Sequence, residues 1–190
     1  MTRTDDSRPE RSRSPVECRG LCPRAGTGSE RVREHGLLTS LRDAGRDVHD
    51  RGDVPWTRWV ADPARADAMN VGAVANTARA VADEVAASVD SGGDVLVLGG
   101  DCTIELGTVA GALRSGRSVG LVYIDLDADL KVPGTGEGAL DWMGVAHLVD
   151  APGGVDELAS LGPSRANARR AGRAPLRPGQ HRHLGGGNHR

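Results

Sequence analysis

Val122 to Leu130 read VYIDLDADL, an apolar run that closes on Asp125, Asp127 and Asp129 at alternate positions. Alternation is the period of an extended chain, in which successive side chains point to opposite faces. If the extended conformation persists, the three carboxylates share a face; if the chain turns, they splay around a point. Either way the like charges repel, by on the order of several kcal/mol in a low-dielectric site. A cation removes that repulsion, and carboxylates favour hard or borderline divalent ions such as Mg²⁺ or Mn²⁺. The plainer alternative is a solvated acidic loop after a strand.

Working outward from this stretch, SVGLVYID (118–125) has the pattern of a buried strand, and TIELGTVAGALRSG (103–116) that of a helix stopped by Gly116. Before them come VLVLGG (95–100), a second buried strand, and NVGAVANTARAVADEVAASV (70–89), an amphipathic helix leaving through SGGD. SERVREHGLLTSLRDAG (29–45) places Val32, Leu37, Leu38 and Leu41 near one helical face, and RDVHDRGDVP (46–55) alternates as a short edge strand closed by Pro55. Helix, apolar strand, glycine turn, helix, apolar strand is the order of a parallel α/β sheet. Sites in such sheets collect outside the C-terminal strand ends. GGDC (99–102) and DLDAD (125–129) both fall there, and a right-handed crossover makes them neighbours. Cys102 then faces the carboxylates, and a thiolate would bias the site toward softer ions.

The chain has 190 residues, enough for one ordinary domain. Aromatic residues make up 2% and Phe is absent, so the core must be Val, Leu and Ala, with Trp56, Trp59 and Trp142 as the large rings. A net charge of −2 gives no overall field toward nucleic acid or membrane. No apolar run approaches the roughly 20 residues needed to cross a bilayer, and the N-terminus lacks the apolar heart of a signal peptide. A cytoplasmic location is the expectation. Cys18 and Cys22 lack the further ligands that zinc would need and read as incidental thiols. His147 reads as a core or surface histidine rather than a ligand.

The two motifs GGDCT (99–103) and DLDAD (125–129), in this order, resemble the arginase, agmatinase and formiminoglutamase family, the ureohydrolases. That family carries Gly-Gly-Asp-His-Ser after one strand and Asp-Ala-His-x-Asp after another. The resemblance covers roughly residues 25–150. It implies a three-layer α/β/α fold with a mainly parallel sheet, incomplete at its C-terminal end, over residues 25–163. It also implies a manganese-dependent hydrolase acting on a guanidino compound such as arginine or a modified arginine and releasing urea, with homo-oligomers common. Carried over by position, Cys102 stands where the family has a histidine ligand of one manganese. Asp125 matches the bridging carboxylate and Asp129 a ligand of the first metal. Asp127 stands where the second metal has its histidine, and Asp141 falls near the family's proton-shuttle histidine. Asp101 is expected to orient the turn by hydrogen bonds.

The family's later Asp-x-Asp ligands and its substrate-binding Glu have no match after Asp150. APGGVDELASLGP (151–163) reads as the family's next helix and turn. Residues 164–190 hold no acids and a surplus of Arg, Gly, Pro and His, in the manner of an out-of-frame reading. They are expected to be a disordered basic tail, as residues 1–24 are expected to be disordered or altered. These departures make a catalytically inactive, truncated family remnant the main alternative. A second alternative rests on IDLDADL, which resembles the first motif of haloacid-dehalogenase-type phosphatases, with Asp125 as nucleophile and Asp127 as acid.

Overall fold

Two helices in backbone contact set the frame of the molecule. The computed structural model describes residues 28–55 and 57–162. In order these form α1 (Gly28–Glu34), α2 (Leu37–Asp43), α3 (Val71–Asp90), α4 (Ile104–Arg114), α5 (Gly144–Leu148) and α6 (Asp156–Ala159), with 3₁₀ turns at Pro63–Arg65 and Leu140–Trp142. Helix α3 forms because Val71, Val74, Ala75, Ala78, Val81, Ala82, Val85 and Val89 recur at helical spacing, and all are buried. It stops where Ser91 N–H donates to the Ala87 carbonyl at 3.2 Å and Gly92 turns left-handed at φ 86°.

Helix α4 lays Leu106, Val109 and Ala110 against α3, and its thin face is Gly107 and Gly111. A Cβ at Gly107 would stand 2.5 Å from the Ala78 carbonyl oxygen, and one at Gly111 2.6 Å from that of Ala82. The two backbones therefore touch, which only glycine at these two positions permits. Leu140, Met143, Leu148, Leu158 and Leu161 close the same core from the far side. His147 is 1% exposed within it. Its Nε2 accepts the Val155 N–H at 3.0 Å, so Nδ1 carries the proton shared with the Met143 carbonyl at 2.6 Å. Burial holds the ring's pKa below its ordinary value, and the residue is structural.

Several sequence expectations are corrected. The single helix expected over 29–44 is broken into α1 and α2 at Gly36, which takes φ 86°. Among the described residues no strand ladder forms, and 46–55, 95–100 and 118–125 run as extended or irregular segments. Periodicity specifies which face of a segment is apolar; a ladder also needs a neighbour's N–H and C=O groups in register. Segment 95–98 still packs Val95 and Val97 onto Val81, Val85 and Val89 of α3. Segment 118–126 departs further, because the outward side chains Val122, Ile124 and Leu126 are 85%, 91% and 94% exposed. Its other side, carrying Tyr123, turns toward the helices. Trp59 and Trp142 are exposed at 38% and 44% and are not core rings. Trp56, Cys18, Cys22 and the expectations for 1–24 and 164–190 lie outside the described residues. Among the described residues no helix is long and apolar enough to cross a membrane.

Candidate metal centre

The turn before α4 and the end of segment 118–129 meet at one place. Asp101 Oδ1 accepts the Thr103 N–H at 2.9 Å and the Thr103 hydroxyl at 2.5 Å, pinning the turn that presents Cys102. Burial raises the Asp101 carboxyl while these bonds lower it, and the balance is upward. Across the gap the Cys102 thiol donates to Asp125 Oδ2 at 3.3 Å. The Leu126 N–H donates to Asp125 Oδ1 at 2.6 Å, and that bond, with the thiol's, holds the Asp125 carboxyl below its usual range. Asp129 is buried, and its backbone turns left-handed at φ 46°. Its carbonyl accepts the Ala146 N–H at 3.1 Å, tying the site to α5.

Ligand atoms of Cys102, Asp125 and Asp129 all lie within 4.8 Å of one another. These are three of the four residues expected to hold metal. The fourth, Asp127, is exposed and stands outside this group. Asp141, in the 3₁₀ turn before α5, is partly buried, and burial with the nearby charge of Asp129 raises its carboxyl. Lys131, the one lysine of the sequence, lies over the Trp142 ring at 3.8 Å from its centroid.

Two residues passed over in the sequence belong here. The Tyr123 hydroxyl donates to Asp129 Oδ2 in a short bond and lies 3.3 Å from Asp125 Oδ2. Burial and the Asp129 bond push its pKa up. Its position two before Asp125, on the same side of an extended chain, was the available signal. Glu105, in the first turn of α4, lies three residues beyond Cys102, and burial together with the charges of Asp129 and Asp125 raises its carboxyl to about 7. The Cys102 thiol is pushed up to about 12, first by burial and then by donating to Asp125.

Two carboxylates and a sulfur around one point form a donor set for a divalent ion, the carboxylates suiting Mn²⁺ and the sulfur favouring softer ions. Among the described residues no cationic side chain is hydrogen-bonded to the converging carboxylates, an arrangement that one such ion would fit.

The comparisons with known proteins agree on one lineage. Residues 16–170 match the arginase family. An arginase from Neurospora crassa is 35% identical over 125 residues, 60% of this chain and 35% of that protein. Human arginase-1 is 31% identical over 113 residues, 58% of this chain and 35% of that protein. The solved arginase from Bacillus caldovelox superposes with a TM-score of 0.69 at 26% identity, covering 78% of this chain and 52% of that one. The chain thus spans about a third of the length of these curated relatives and about half of the solved structure. These neighbours give the core an arginase-like α/β fold, and the match across both motifs decides against the phosphatase reading of IDLDADL. Helices α3 and α4, the GGDCT turn and the aspartates of DLDAD all fall inside the matched stretch, and the chain belongs to the arginase family.

Proposed function

We propose that this chain carries the metal-binding half of a manganese-dependent hydrolase acting on a guanidino compound, such as arginine or a modified arginine, with release of urea. The observation that carries this is the convergence of Cys102, Asp125 and Asp129 within 4.8 Å at the two motif ends shared with the arginase family. Cys102, Asp125 and Asp129 would hold one ion, and Asp127, one residue beyond Leu126 at the same rim, would contribute to a second. When bound, manganese supplies a Lewis acid and lowers the pKa of a coordinated water.

The chain's own groups prepare the site for that ion. The Tyr123 hydroxyl, bonded to Asp129 and beside Asp125, fixes how the two carboxylates face one another. Asp101 keeps the turn closed so that the thiol stays opposite Asp125. Asp141 is the proton carrier of this reading, since a carboxyl raised by burial holds a proton closer to neutral pH. The guanidino substrate is a cation, which an acidic rim attracts.

A urea-release assay with arginine and other guanidino compounds, with Mn²⁺ and with Asp125→Asn as control, tests the reading. Urea formed by the native protein and lost in the variant supports it. The second reading, a catalytically silent family member, draws on the exposure of Val122, Ile124 and Leu126 beside the site. Bound Mn²⁺ without urea from any guanidino compound would decide for it.

A further inference from the structure

Among the described residues Glu105 is the one side chain near the centre whose carboxylate is left unsatisfied. Both carboxylate oxygens are shut off from solvent, and neither meets a hydrogen-bond partner. A Cβ on Gly144 would fall 1.8 Å from Oε1, so the carboxylate rests on bare backbone that no other residue type would leave open. Gly144 begins α5, whose Ala146 N–H holds the Asp129 carbonyl. In the first turn of α4, Glu105 lies three residues past Cys102, its N–H donating to the Cys102 carbonyl at 3.1 Å. The charged groups that act on it are Asp129 and Asp125, both of its own sign.

A buried carboxylate without a donor, facing two others, is among the least favourable arrangements a fold can hold. Glutamine, leucine or alanine at this position would avoid the repulsion. The arrangement makes physical sense when a positive charge sits among the three. We propose that Glu105 is a further acidic group of this centre, supplying a fourth negative or thiolate-type group to the divalent cation held by Cys102, Asp125 and Asp129. The inference rests on the metal-binding reading above and adds a residue to it. Glu105 lies outside the set of donor atoms that approach within 4.8 Å, so its part is to neutralise and retain the ion by charge, with ligation on side-chain rotation.

The test uses the full chain and Mn²⁺ alone, with free Mn²⁺ followed by its electron paramagnetic resonance signal and stability by thermal melting. Glu105→Gln keeps the shape and removes the charge. It should melt higher than the native protein without Mn²⁺, gain less on adding it, and bind the ion at least tenfold more weakly. Glu105→Asp, which keeps the charge on a shorter arm, should fall between the two. Unchanged Mn²⁺ affinity in Glu105→Gln, beside loss of binding in Asp125→Asn, would overturn this inference and leave the metal centre standing. No Mn²⁺ binding by the native protein would overturn both. If arginine without Mn²⁺ stabilises the native protein and not Glu105→Gln, the residue docks a guanidinium instead, which also overturns the inference. Should Glu105→Gln fail to fold, native-like affinity in Glu105→Asp together with native-like melting without metal would overturn it.

Discussion

Replacing Gly107 by alanine should loosen both the core and the metal centre, because α3 and α4 meet there backbone to backbone. The new Cβ would stand 2.5 Å from the Ala78 carbonyl oxygen and 2.7 Å from the Val81 Cβ, against 3.4 Å for an ordinary contact. Relief requires the helices to part by about 0.9 Å. Overpacking of this kind costs about 1–3 kcal/mol. Alanine in a helix interior returns about 1 kcal/mol over glycine, so the net loss is up to about 2 kcal/mol. Gly111→Ala meets the Ala82 oxygen at 2.6 Å and should behave alike, the pair adding less than the sum once the helices have parted. Gly72→Ala, on α3 where nothing lies within 4 Å of the new methyl, is the control and should be neutral or mildly stabilising. The consequence reaches the site because Cys102 sits just ahead of α4. A rigid shift of about 0.9 Å along the thiol–carboxylate line lengthens the 3.3 Å contact of the thiol with Asp125 Oδ2 to about 4.2 Å, beyond hydrogen bonding. Melting followed by circular dichroism, with and without Mn²⁺, reads both effects. Should Gly107→Ala melt higher than the native protein, as helix propensity alone demands, the backbone contact between α3 and α4 would be refuted.

Mn²⁺ affinity should rise with pH, since a thiol pushed up to about 12 must lose its proton to bind, adding roughly tenfold in affinity per pH unit near neutrality. Cys102→Ser should remove that increment, and an unchanged pH slope in the variant would exclude sulfur as a ligand. His147 is held neutral, with its pKa lowered by burial, while the unfolded chain takes up a proton at the ordinary value. Its contribution to stability is therefore complete above about pH 6.5 and is lost as pH falls through the folded value. Urea denaturation at pH 7.5 and pH 5 should show this loss in the native protein and less of it in His147→Gln, which gives up about 1–3 kcal/mol at the higher pH; equal pH dependence would exclude His147 as its source. Ile124→Lys, at a side chain 91% exposed, should leave the melting temperature within the change expected for about 0.5 kcal/mol and reduce aggregation. Unfolding of this variant would show that Ile124 is covered in solution.

Much of the centre was legible because its residues lie in short motifs. GGDC marks a turn into a helix, and the alternating aspartates mark carboxylates gathered at one strand-like end, so Cys102, Asp125 and Asp129 could be named together. Asp127 shared the same alternation but stands exposed outside the converging group, since the bend over 125–127 changes the face each residue presents. Glu105 and Tyr123 carry no motif. Glu105 looked like an ordinary polar residue in the first turn of an amphipathic helix, and its carboxylate is shut from solvent with Gly144 of α5 lying against it. The ladder expected for 95–100 and 118–125 was read from apolar runs, which record a preference for burial and say nothing of the partner that satisfies the backbone.

The sequence by itself determined the two long helices, since the spacing of valine and alanine in α3 and of Leu106, Val109 and Ala110 in α4 leaves each a single apolar face. It also determined the local turns at Gly92 and Gly116 and the acidic character of residues 125–129. The tertiary structure alone decided which carboxylates oppose the Cys102 thiol, that His147 is locked neutral between Met143 and Val155, and that Glu105 is buried without a donor. Periodicity and turn chemistry act over a few residues and can be read along the chain. Charge repulsion, desolvation and steric contact depend on distances in space, and these exist only once α4, α5 and the segment ending at Asp129 have packed together.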